Sequence, residues 1–289
     1  MKTPSDETTL SRKGQGRRGL VTAMAAAPLM LGVASSFGAT SATPPAGNGK
    51  AAIVTGSSRG IGAATARRLA REGYAVTVNC EKNRELAAAV VAEIEAAGGK
   101  AIWVQADVSD PKAVSRLFDA CEKEFGGVDV AVANAGIMHL GAFSELSDQA
   151  FDRMWAVNAK GSFNTLREAA RRIRDGGRII CLSSSITQLR TATYGPYAAT
   201  KMAQDMFVGS LAKELEGRGI SVNAIAPGVV NTPLFTDGKT PQQIAAFAQR
   251  TPHKRLGEPA DIADVIAALC SDKGAWVNGQ TIFANGGLV

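Results

Sequence analysis

The chain has 289 residues, 45% of them hydrophobic, and carries a formal net charge of +6. That length can bury the core of one large domain, and the composition with no long charged tract excludes a chain that is disordered throughout. Residues 1–42 hold +3 of the net charge, and basic and acidic residues are interspersed in the remainder, which argues against nucleic acid as a partner.

Cysteine and histidine usage bounds the metal and disulfide chemistry. The four cysteines are far apart in apolar segments, no C-x-x-C motif occurs, and the only histidines are His139 and His253. We therefore predict no metal site and no disulfide framework, but four buried thiols. The cysteines are Cys80, Cys121, Cys181 and Cys270.

The first element in chain order resembles an export signal at residues 1–42. A basic stretch that ends at Arg17 and Arg18 precedes an apolar run from Leu20 to Val33, and small residues close the segment. The apolar run is short for a membrane span, and "RRGLV" resembles a twin-arginine signal. We predict a cleaved twin-arginine-type signal peptide and a periplasmic mature chain without membrane insertion. A cytoplasmic protein with an uncleaved N-terminal tail is the alternative.

A short linker at residues 43–49 leads to a region, residues 50–289, in which apolar β-branched runs alternate with helical patterns. Such alternation is typical of a parallel sheet with helices on both faces. We predict an α/β fold: a single doubly wound (Rossmann) domain with a mostly parallel, seven-stranded sheet. The strand candidates are "AAIVTG", "AVTVNC", "AIWVQAD", "VDVAVANAG", "RIICLSS", "ISVNAIAPG" and "TIFANGG".

The first predicted strand leads into a glycine-rich loop, "TGSSRGIG", which also opens a helical pattern. Gly56 permits a tight turn, Gly60 lets the backbone approach a phosphate, and Gly62 lets the helix pack close to the sheet. A helix N-terminus behind such a loop favours a pyrophosphate, so the strand, loop and helix predict a dinucleotide site. Its predicted ligands are Gly56, Ser58, Arg59, Gly60, Ile61 and Gly62.

Residues near the second and third strand ends bear on which dinucleotide binds. A carboxylate at the end of the second strand would favour NAD, whereas a basic residue accommodates the 2′-phosphate of NADP. The position holds Cys80, Arg59 lies in the loop, and Glu81 is followed by Lys82. We predict NADP(H) as the preferred cofactor, with NAD possible. Asp107 is predicted to accept from the adenine amino group, with a plain helix cap as the alternative.

Three further strand ends carry unusual sequences: "NAG", "SSS" and "APG". Because ligands bind beyond the carboxyl ends of parallel strands, we expect these segments and the glycine loop to line one crevice.

The segment "YGPYAATK" places Tyr194 and Tyr197 ahead of Lys201, in a helix predicted over about residues 194–216. Residues four apart share a helix face, so Tyr197 lies beside Lys201. A free tyrosine has a pKa of about 10, and a nearby ammonium lowers it, so Tyr197 is the candidate proton carrier. Tyr194 is predicted to line the substrate pocket or to pack beneath it.

In order and spacing these motifs resemble the short-chain dehydrogenase/reductase family, particularly its 3-oxoacyl-carrier-protein reductase and glucose dehydrogenase branch. The resemblance covers residues 50–289 and includes Asn158 in "WAVNAKGSF", Ser184 thirteen residues before Tyr197, and "PGVVNT" at 227–232. It implies that Ser184 stabilises charge on a substrate carbonyl and that Tyr197 exchanges the proton. It also implies that Lys201 lowers the pKa of the tyrosine and that Asn158 holds a relay water.

The resemblance further implies a cofactor set and an assembly. A segment that includes Pro227, Gly228 and Thr232 would hold the nicotinamide amide, and "NAG" (Asn134, Ala135 and Gly136) would border the cofactor. Tyr197 and Lys201 belong to the same set. The expected assembly is a homotetramer.

The predicted activity is interconversion of a small-molecule carbonyl and alcohol by an NADP(H)-dependent oxidoreductase, with Tyr197 as proton donor or acceptor. A non-catalytic dinucleotide-binding sensor or scaffold on the same fold is the alternative. Residues 231–259, which are turn-rich at their start, predict a lid in which Leu234, Phe235 and Phe247 supply an apolar wall, with ordinary packing of these side chains as the alternative.

Overall fold

Seven parallel strands form the central sheet of the computed structural model, which describes residues 49–289. The predicted signal peptide at 1–42, and the predicted linker at 43–49 except its last residue, lie outside the described residues. The spatial order is β3-β2-β1-β4-β5-β6-β7. The strands are β1 Ala51–Val54, β2 Ala75–Cys80, β3 Ala101–Gln105, β4 Val128–Ala133, β5 Ile173–Leu182, β6 Ser221–Pro227 and β7 Thr281–Ala284.

The helices that connect these strands follow the apolar periodicity of the sequence. The segments begin at recognisable signals; Asp110, for example, caps a helix by accepting from the backbone N–H of Lys112. The helices are α1 Gly60–Arg71, α2 Arg84–Ala96, α3 Pro111–Phe125, α4 Asp148–Met154, α5 Gly161–Arg172, α6 Ile186–Leu189, α7 Gly195–Glu214, α8 Pro233–Thr236, α9 Pro241–Arg250 and α10 Pro259–Cys270. A π-helical segment, Trp155–Lys160, joins α4 to α5.

Two apolar cores lie on opposite faces of the sheet. Helices α1, α2 and α10 cover one face, with Leu69, Ile94 and Ile266 packed against β1 and β2. Helices α3, α5 and α7 cover the other, where Leu117 and Leu166 are buried. Both faces of the strands are therefore buried, which explains their nearly continuous apolar sequence. The predicted doubly wound α/β fold is confirmed.

The order of the strands in the sheet determines where the candidate site lies. Val54 at the end of β1 pairs with Val78 of β2 on one side and with Val132 of β4 on the other. The chain therefore leaves β1 and β4 in opposite directions along the sheet. A crevice opens between the loops at such a switch point. The glycine loop, "NAG", "SSS" and "APG" all border this edge, as predicted.

The segment after β6 contains two short helices, α8 and α9, in the region predicted as a lid. Thr240 caps α9 reciprocally with Gln243, so that both the N-cap backbone and the first turn are satisfied. Phe235 and Phe247 meet edge to face, with their ring centroids 5.2 Å apart. This contact ties α8 to α9.

Two findings concern membranes and thiols. Within residues 49–289, no helix combines the length and apolarity required to cross a bilayer. All four cysteines are free and buried, as predicted.

Candidate active site

The glycine loop after β1 has the geometry of a phosphate cradle. Gly56 and Gly60 adopt positive φ angles of 61° and 58°, which side chains rarely tolerate. A Cβ atom on Gly62 would lie 2.5 Å from the Asn134 amide nitrogen. Helix α1 begins at Gly60, and its first turn has no acidic residue. Its N–H groups and positive dipole end can therefore hold a pyrophosphate.

Two asparagines, the buried Asn79 and the half-buried Asn134, fix this loop. The Asn79 side chain accepts from the Gly56 N–H at 3.0 Å and donates to the Ala106 carbonyl at 3.1 Å. Asn134 donates through its side chain to the Thr55 carbonyl at 2.8 Å. This bond ties the start of the "NAG" segment to the turn after β1. The sequence analysis missed Asn79, although a polar residue inside the apolar run "AVTVNC" is a usable signal.

A crevice extends from the glycine loop across the ends of β2 and β3. We call it the loop crevice. Every residue predicted for the glycine-loop part of the cofactor site borders it, as do the "NAG" residues and Asp107. Its lining includes Gly56, Ser58, Arg59, Gly60, Ile61, Gly62, Glu81, Lys82, Asp107, Asn134, Ala135, Gly136 and Thr232.

Protein groups alone hold the Asp107 carboxylate in place. Its carboxylate accepts from the Ser109 N–H at 2.9 Å and the Ser109 hydroxyl at 2.8 Å. Burial acts to raise the pKa of Asp107, but these hydrogen bonds and Arg153 together hold that pKa below its usual range. Asp110 caps α3, so the alternative interpretation of Asp107 as the helix cap is wrong. The contact of Asp107 with adenine stays a prediction.

Arg153 of α4 is a residue that the sequence analysis missed. Its guanidinium lies 3.1 Å from Glu81 and 3.1 Å from Asp107, and it donates to the Ser109 hydroxyl at 3.1 Å. One cation thus links the ends of β2 and β3 beside the loop crevice. No local motif marks it, because its partners are far away in the sequence.

The three serines after β5 have different partners. The Ser183 hydroxyl donates to the Lys201 carbonyl at 3.3 Å, and the Ser185 hydroxyl donates to the Ala226 carbonyl at 2.9 Å. The Ser184 hydroxyl accepts from the Ile186 N–H at 3.3 Å, and of the three serines it alone acts on the pKa of Tyr197, which it lowers. The choice of Ser184 from its thirteen-residue offset stays a prediction.

Tyr197 lies in the first turn of α7, at the bottom of the site. Its ring packs with Met154 and Ile186, so it is buried. Burial raises the pKa of Tyr197, and the hydrogen bond with Ser184 offsets only part of that effect. The phenol is therefore protonated near neutral pH, which is the form that can donate a proton to a substrate oxygen.

Lys201 shares the helix face of Tyr197, as its spacing predicted. Its Nζ lies 5.7 Å from the centroid of the Tyr197 ring and donates to the Leu182 carbonyl at 2.7 Å. Burial lowers the pKa of Lys201 to about 8. In this arrangement burial has the largest effect on the pKa of Tyr197. The lowering by Lys201 stays a prediction.

Asn158 lies behind the site in the π-helical segment. Its side chain accepts from the Ile137 N–H at 2.8 Å and donates to the Ile137 carbonyl at 2.9 Å and to the Thr200 hydroxyl at 3.1 Å. Its own carbonyl accepts from Gln204 at 2.9 Å. These bonds anchor the loop after "NAG" to α7. The predicted water relay stays a prediction.

A second cavity, the apolar cleft, opens over Ser184 and Tyr197 and joins the loop crevice at Ile61, Asn134 and Gly136. Tyr194 lines it, as predicted, whereas His139 is exposed outside it. Hydrophobic side chains of the lid, and the segment predicted to hold the nicotinamide amide, complete its wall. These residues are Leu234, Phe235, Phe247, Pro227, Gly228 and Thr232.

The two cavities together fit a dinucleotide. The loop crevice offers helix N–H groups, two basic side chains and Asp107, and it meets the apolar cleft where Tyr197, Ser184 and Lys201 converge. A nicotinamide at that junction would have the phenol and the serine hydroxyl beside its reactive face.

Comparisons with known proteins agree with this geometry. A family model described as enoyl-(acyl carrier protein) reductase matches residues 56–289. An NADPH-dependent aldehyde reductase-like chloroplastic protein of Arabidopsis thaliana is 42% identical over 83% of this chain and 94% of its own length. The versicolorin reductase stcU of Emericella nidulans is 40% identical over 83% and 96%.

A solved structure matches as well. A short chain dehydrogenase of Burkholderia cenocepacia, in complex with NADP, superimposes with a TM-score of 0.79 and 38% identity, and the match covers 83% of this chain and 98% of that one. The predicted resemblance is confirmed. The chain belongs to the short-chain dehydrogenase/reductase family and is an oxidoreductase that interconverts carbonyl and alcohol groups with a nicotinamide cofactor.

Proposed function

We propose that this protein is an NADPH-dependent carbonyl reductase for small apolar substrates. The observation that carries the proposal is that Tyr197, Ser184 and Lys201 together line the apolar cleft, which joins the loop crevice at Asn134 and Gly136. A substrate carbonyl in the cleft would reach both hydroxyl groups.

The residues act on the carbonyl oxygen. The bound cofactor supplies the hydride to the carbonyl carbon. Ser184 donates a hydrogen bond to the oxygen as negative charge develops, and Tyr197 transfers its phenolic proton to that oxygen. Lys201 keeps a positive charge near the phenolate that remains. In the oxidative direction, Tyr197 accepts the proton.

Basic side chains support NADPH as the preferred cofactor. Arg59 and Lys82 border the loop crevice near the end of β2, where a 2′-phosphate would lie. The relatives that bear NADPH or NADP in their descriptions support the same preference. NAD would bind with the same adenine and pyrophosphate contacts but without the phosphate contact.

The lid supports an apolar substrate body. Phe235 and Phe247 face the cleft as a joined aromatic pair, and Leu234 lies beside them. Such a wall gains binding free energy from apolar or aromatic substrates. We infer that a ketone or aldehyde on a hydrophobic body is preferred over a free sugar.

A turnover panel tests the proposal. Oxidation of NADPH is followed with aromatic ketones, aliphatic aldehydes and sugars, in parallel with binding of NADPH by calorimetry. Turnover of apolar carbonyl compounds is expected. Tight NADPH binding without turnover of any carbonyl compound would favour the non-catalytic sensor instead.

We further propose that the protein works as a homotetramer. Met202 and Met206 lie one turn apart on α7 and are exposed, and Phe163 of α5 is exposed as well. Near the C-terminus, Trp276 is 98% exposed. Two separate apolar surfaces of this kind fit the two interfaces of a closed tetramer.

We also propose that the protein is exported through the twin-arginine pathway. The support is the order of basic, apolar and small residues in positions 1–42. N-terminal sequencing of the protein from its native host tests this proposal. A mature chain that begins near residue 43 is expected, and an intact Met1 would favour the uncleaved cytoplasmic form.

A further inference from the structure

Arg153 forms salt bridges with two carboxylates and has no part in the proposed transfer of hydride and proton. Its guanidinium nitrogens lie 3.1 Å from an Oε of Glu81 and 3.1 Å from an Oδ of Asp107. Both carboxylates border the loop crevice, one beyond β2 and the other beyond β3. The link therefore stands where the adenosine half of a dinucleotide would be held.

Glu81 is the residue that makes this link consequential. A carboxylate at the end of the second strand accepts from the ribose 2′-hydroxyl of NADH and repels the 2′-phosphate of NADPH. Glu81 immediately follows β2, so it is close enough to take that role. In the structure its carboxylate is occupied by Arg153, and Lys82 lies 3.5 Å from the same oxygen.

The position of the Lys82 ammonium depends on the balance of charges around Glu81. With Arg153 present, the two carboxylates and the three cations Arg59, Lys82 and Arg153 leave the surroundings of the crevice net positive. Without Arg153, Glu81 would have Lys82 as its remaining partner and would draw that ammonium away from a phosphate. Loss of one cation would thus remove two favourable charges from the 2′ position.

We propose that Arg153 sets the preference for NADPH over NADH by holding the Glu81 carboxylate away from the ribose 2′ position. Arg153 is a positioning residue: it acts through Glu81 and weakens the hold of that carboxylate on Lys82, which lies 3.5 Å from it. This inference rests on the NADPH preference proposed above, and it adds the device that produces the preference.

Calorimetric binding of four ligands tests the inference without turnover. The ligands are NADPH, NADH, and the fragments 2′,5′-ADP and 5′-AMP, which differ in the 2′-phosphate. For Arg153→Leu we expect the Kd of NADPH and of 2′,5′-ADP to rise about tenfold, which corresponds to loss of one partly screened charge contact. The Kd values of NADH and 5′-AMP should change less than about threefold.

The decisive variant is Arg153→Leu combined with Glu81→Gln. If Arg153 acts by restraining Glu81, neutralising that carboxylate should return the NADPH Kd to within about threefold of wild type. Equal weakening of NADPH and NADH by Arg153→Leu, with no recovery in the double variant, would overturn the inference. Arg153 would then serve only Asp107 and the packing of α4.

Two controls keep the outcome interpretable. Arg67→Leu breaks a surface pair with Glu93 between α1 and α2, and it should leave all four Kd values as in wild type. If Arg153→Leu does not fold, Glu81→Gln alone remains informative, because a restrained carboxylate predicts an NADPH Kd within about threefold of wild type. A tenfold or greater gain in NADPH affinity in Glu81→Gln would contradict the restraint of Glu81 by Arg153.

The NADPH preference and the role of Arg153 are tested by separate measurements. Tighter binding of NADH than NADPH by the wild-type protein would refute the proposed preference. The role of Arg153 is read from the change in the ratio of 2′,5′-ADP to 5′-AMP affinity between wild type and Arg153→Leu.

Discussion

Tyr197 and Lys201 are neighbouring ionisable groups on one helix face, and burial shifts both towards their neutral forms. The pKa of Tyr197 rises and that of Lys201 falls to about 8. Each therefore depends on polar partners: Ser184 for the phenol and the Leu182 carbonyl for the amine.

Ser184 and Ser183 provide a matched test of the carbonyl contact. Ser184→Ala should lower kcat by about 10²–10³, the usual loss when one donor to a developing oxyanion is removed. Ser183→Ala removes a hydrogen bond to the Lys201 carbonyl. It should cost stability of about 1 kcal/mol and keep most of the turnover. Steady-state kinetics of both variants check this, and equal losses of kcat would contradict the assignment.

The buried lysine predicts a pH-dependent stability. Its folded pKa of about 8 is below the ordinary value of 10.5, so the unfolded chain binds the proton more strongly between these pH values. The free energy of unfolding should therefore rise with pH from about 8 to 10.5, by up to about 3 kcal/mol. Below pH 8 the penalty for burying the charge is fully present.

Denaturant unfolding of wild type and Lys201→Met at pH 7.5 and pH 10 (roughly the limits of that window) isolates this effect. Wild type should gain stability relative to Lys201→Met as the pH rises. Tyr197 is present in both proteins, so its own titration largely cancels in the difference. A constant difference across this range would show that Lys201 is not strongly shifted.

At the scale of elements, β1, the glycine loop and α1 act as one unit. The apolar run and the glycine spacing predicted this unit, because Gly56, Gly60 and Gly62 have few alternatives in that geometry. The start of β5 was less accessible. Its first residue, Ile173, pairs with Val128 across an irregular register, whereas the sequence indicated a start near Arg178. A register shift leaves no periodic signal.

Gly62→Ala tests how tightly this unit is packed. Its added Cβ would lie 2.5 Å from the Gly56 carbonyl oxygen and from Asn134, so the loop must move. We expect a loss of stability of about 1–3 kcal/mol and at least a tenfold rise in the NADPH Kd, measured by denaturation and calorimetry. Gly141→Ala is the control, since its Cβ would meet only Leu146 at ordinary contact distances of 3.5 Å or more. Wild-type affinity in Gly62→Ala would contradict the close packing.

At the scale of the whole molecule, the sequence predicted the fold and the main site residues because local patterns encode both. Seven apolar runs became the seven strands, and Ser184, Tyr197 and Lys201 meet at one sheet edge. Arg153 was missed because its role arises only when distant strand ends meet, whereas Asn79 was marked by its polarity within an apolar strand. No periodic sequence pattern marks a salt bridge that joins residues after β2 and β3 to α4.

The exposed methionines of α7 give a prediction about assembly. Met206 is 70% exposed, and Met206→Glu would place a charge within the proposed interface. We expect the tetramer to dissociate into smaller species in light scattering coupled to size-exclusion chromatography. Leu86→Glu on α2 is the control, because Leu86 is exposed on a helix that covers the opposite face of the sheet from α5 and α7. An unchanged tetramer in Met206→Glu would place the interface elsewhere.

The central claim is that Tyr197 carries the proton at a nicotinamide bound in the joined cavities. The most direct test compares Tyr197→Phe with Tyr194→Phe, using NADPH oxidation with an accepted carbonyl substrate and NADPH binding by calorimetry. Tyr197→Phe should lose turnover by about 10³-fold or more and still bind NADPH, whereas Tyr194→Phe should change mainly the KM of the substrate. Retained turnover in Tyr197→Phe, or its loss in Tyr194→Phe alone, would contradict the account.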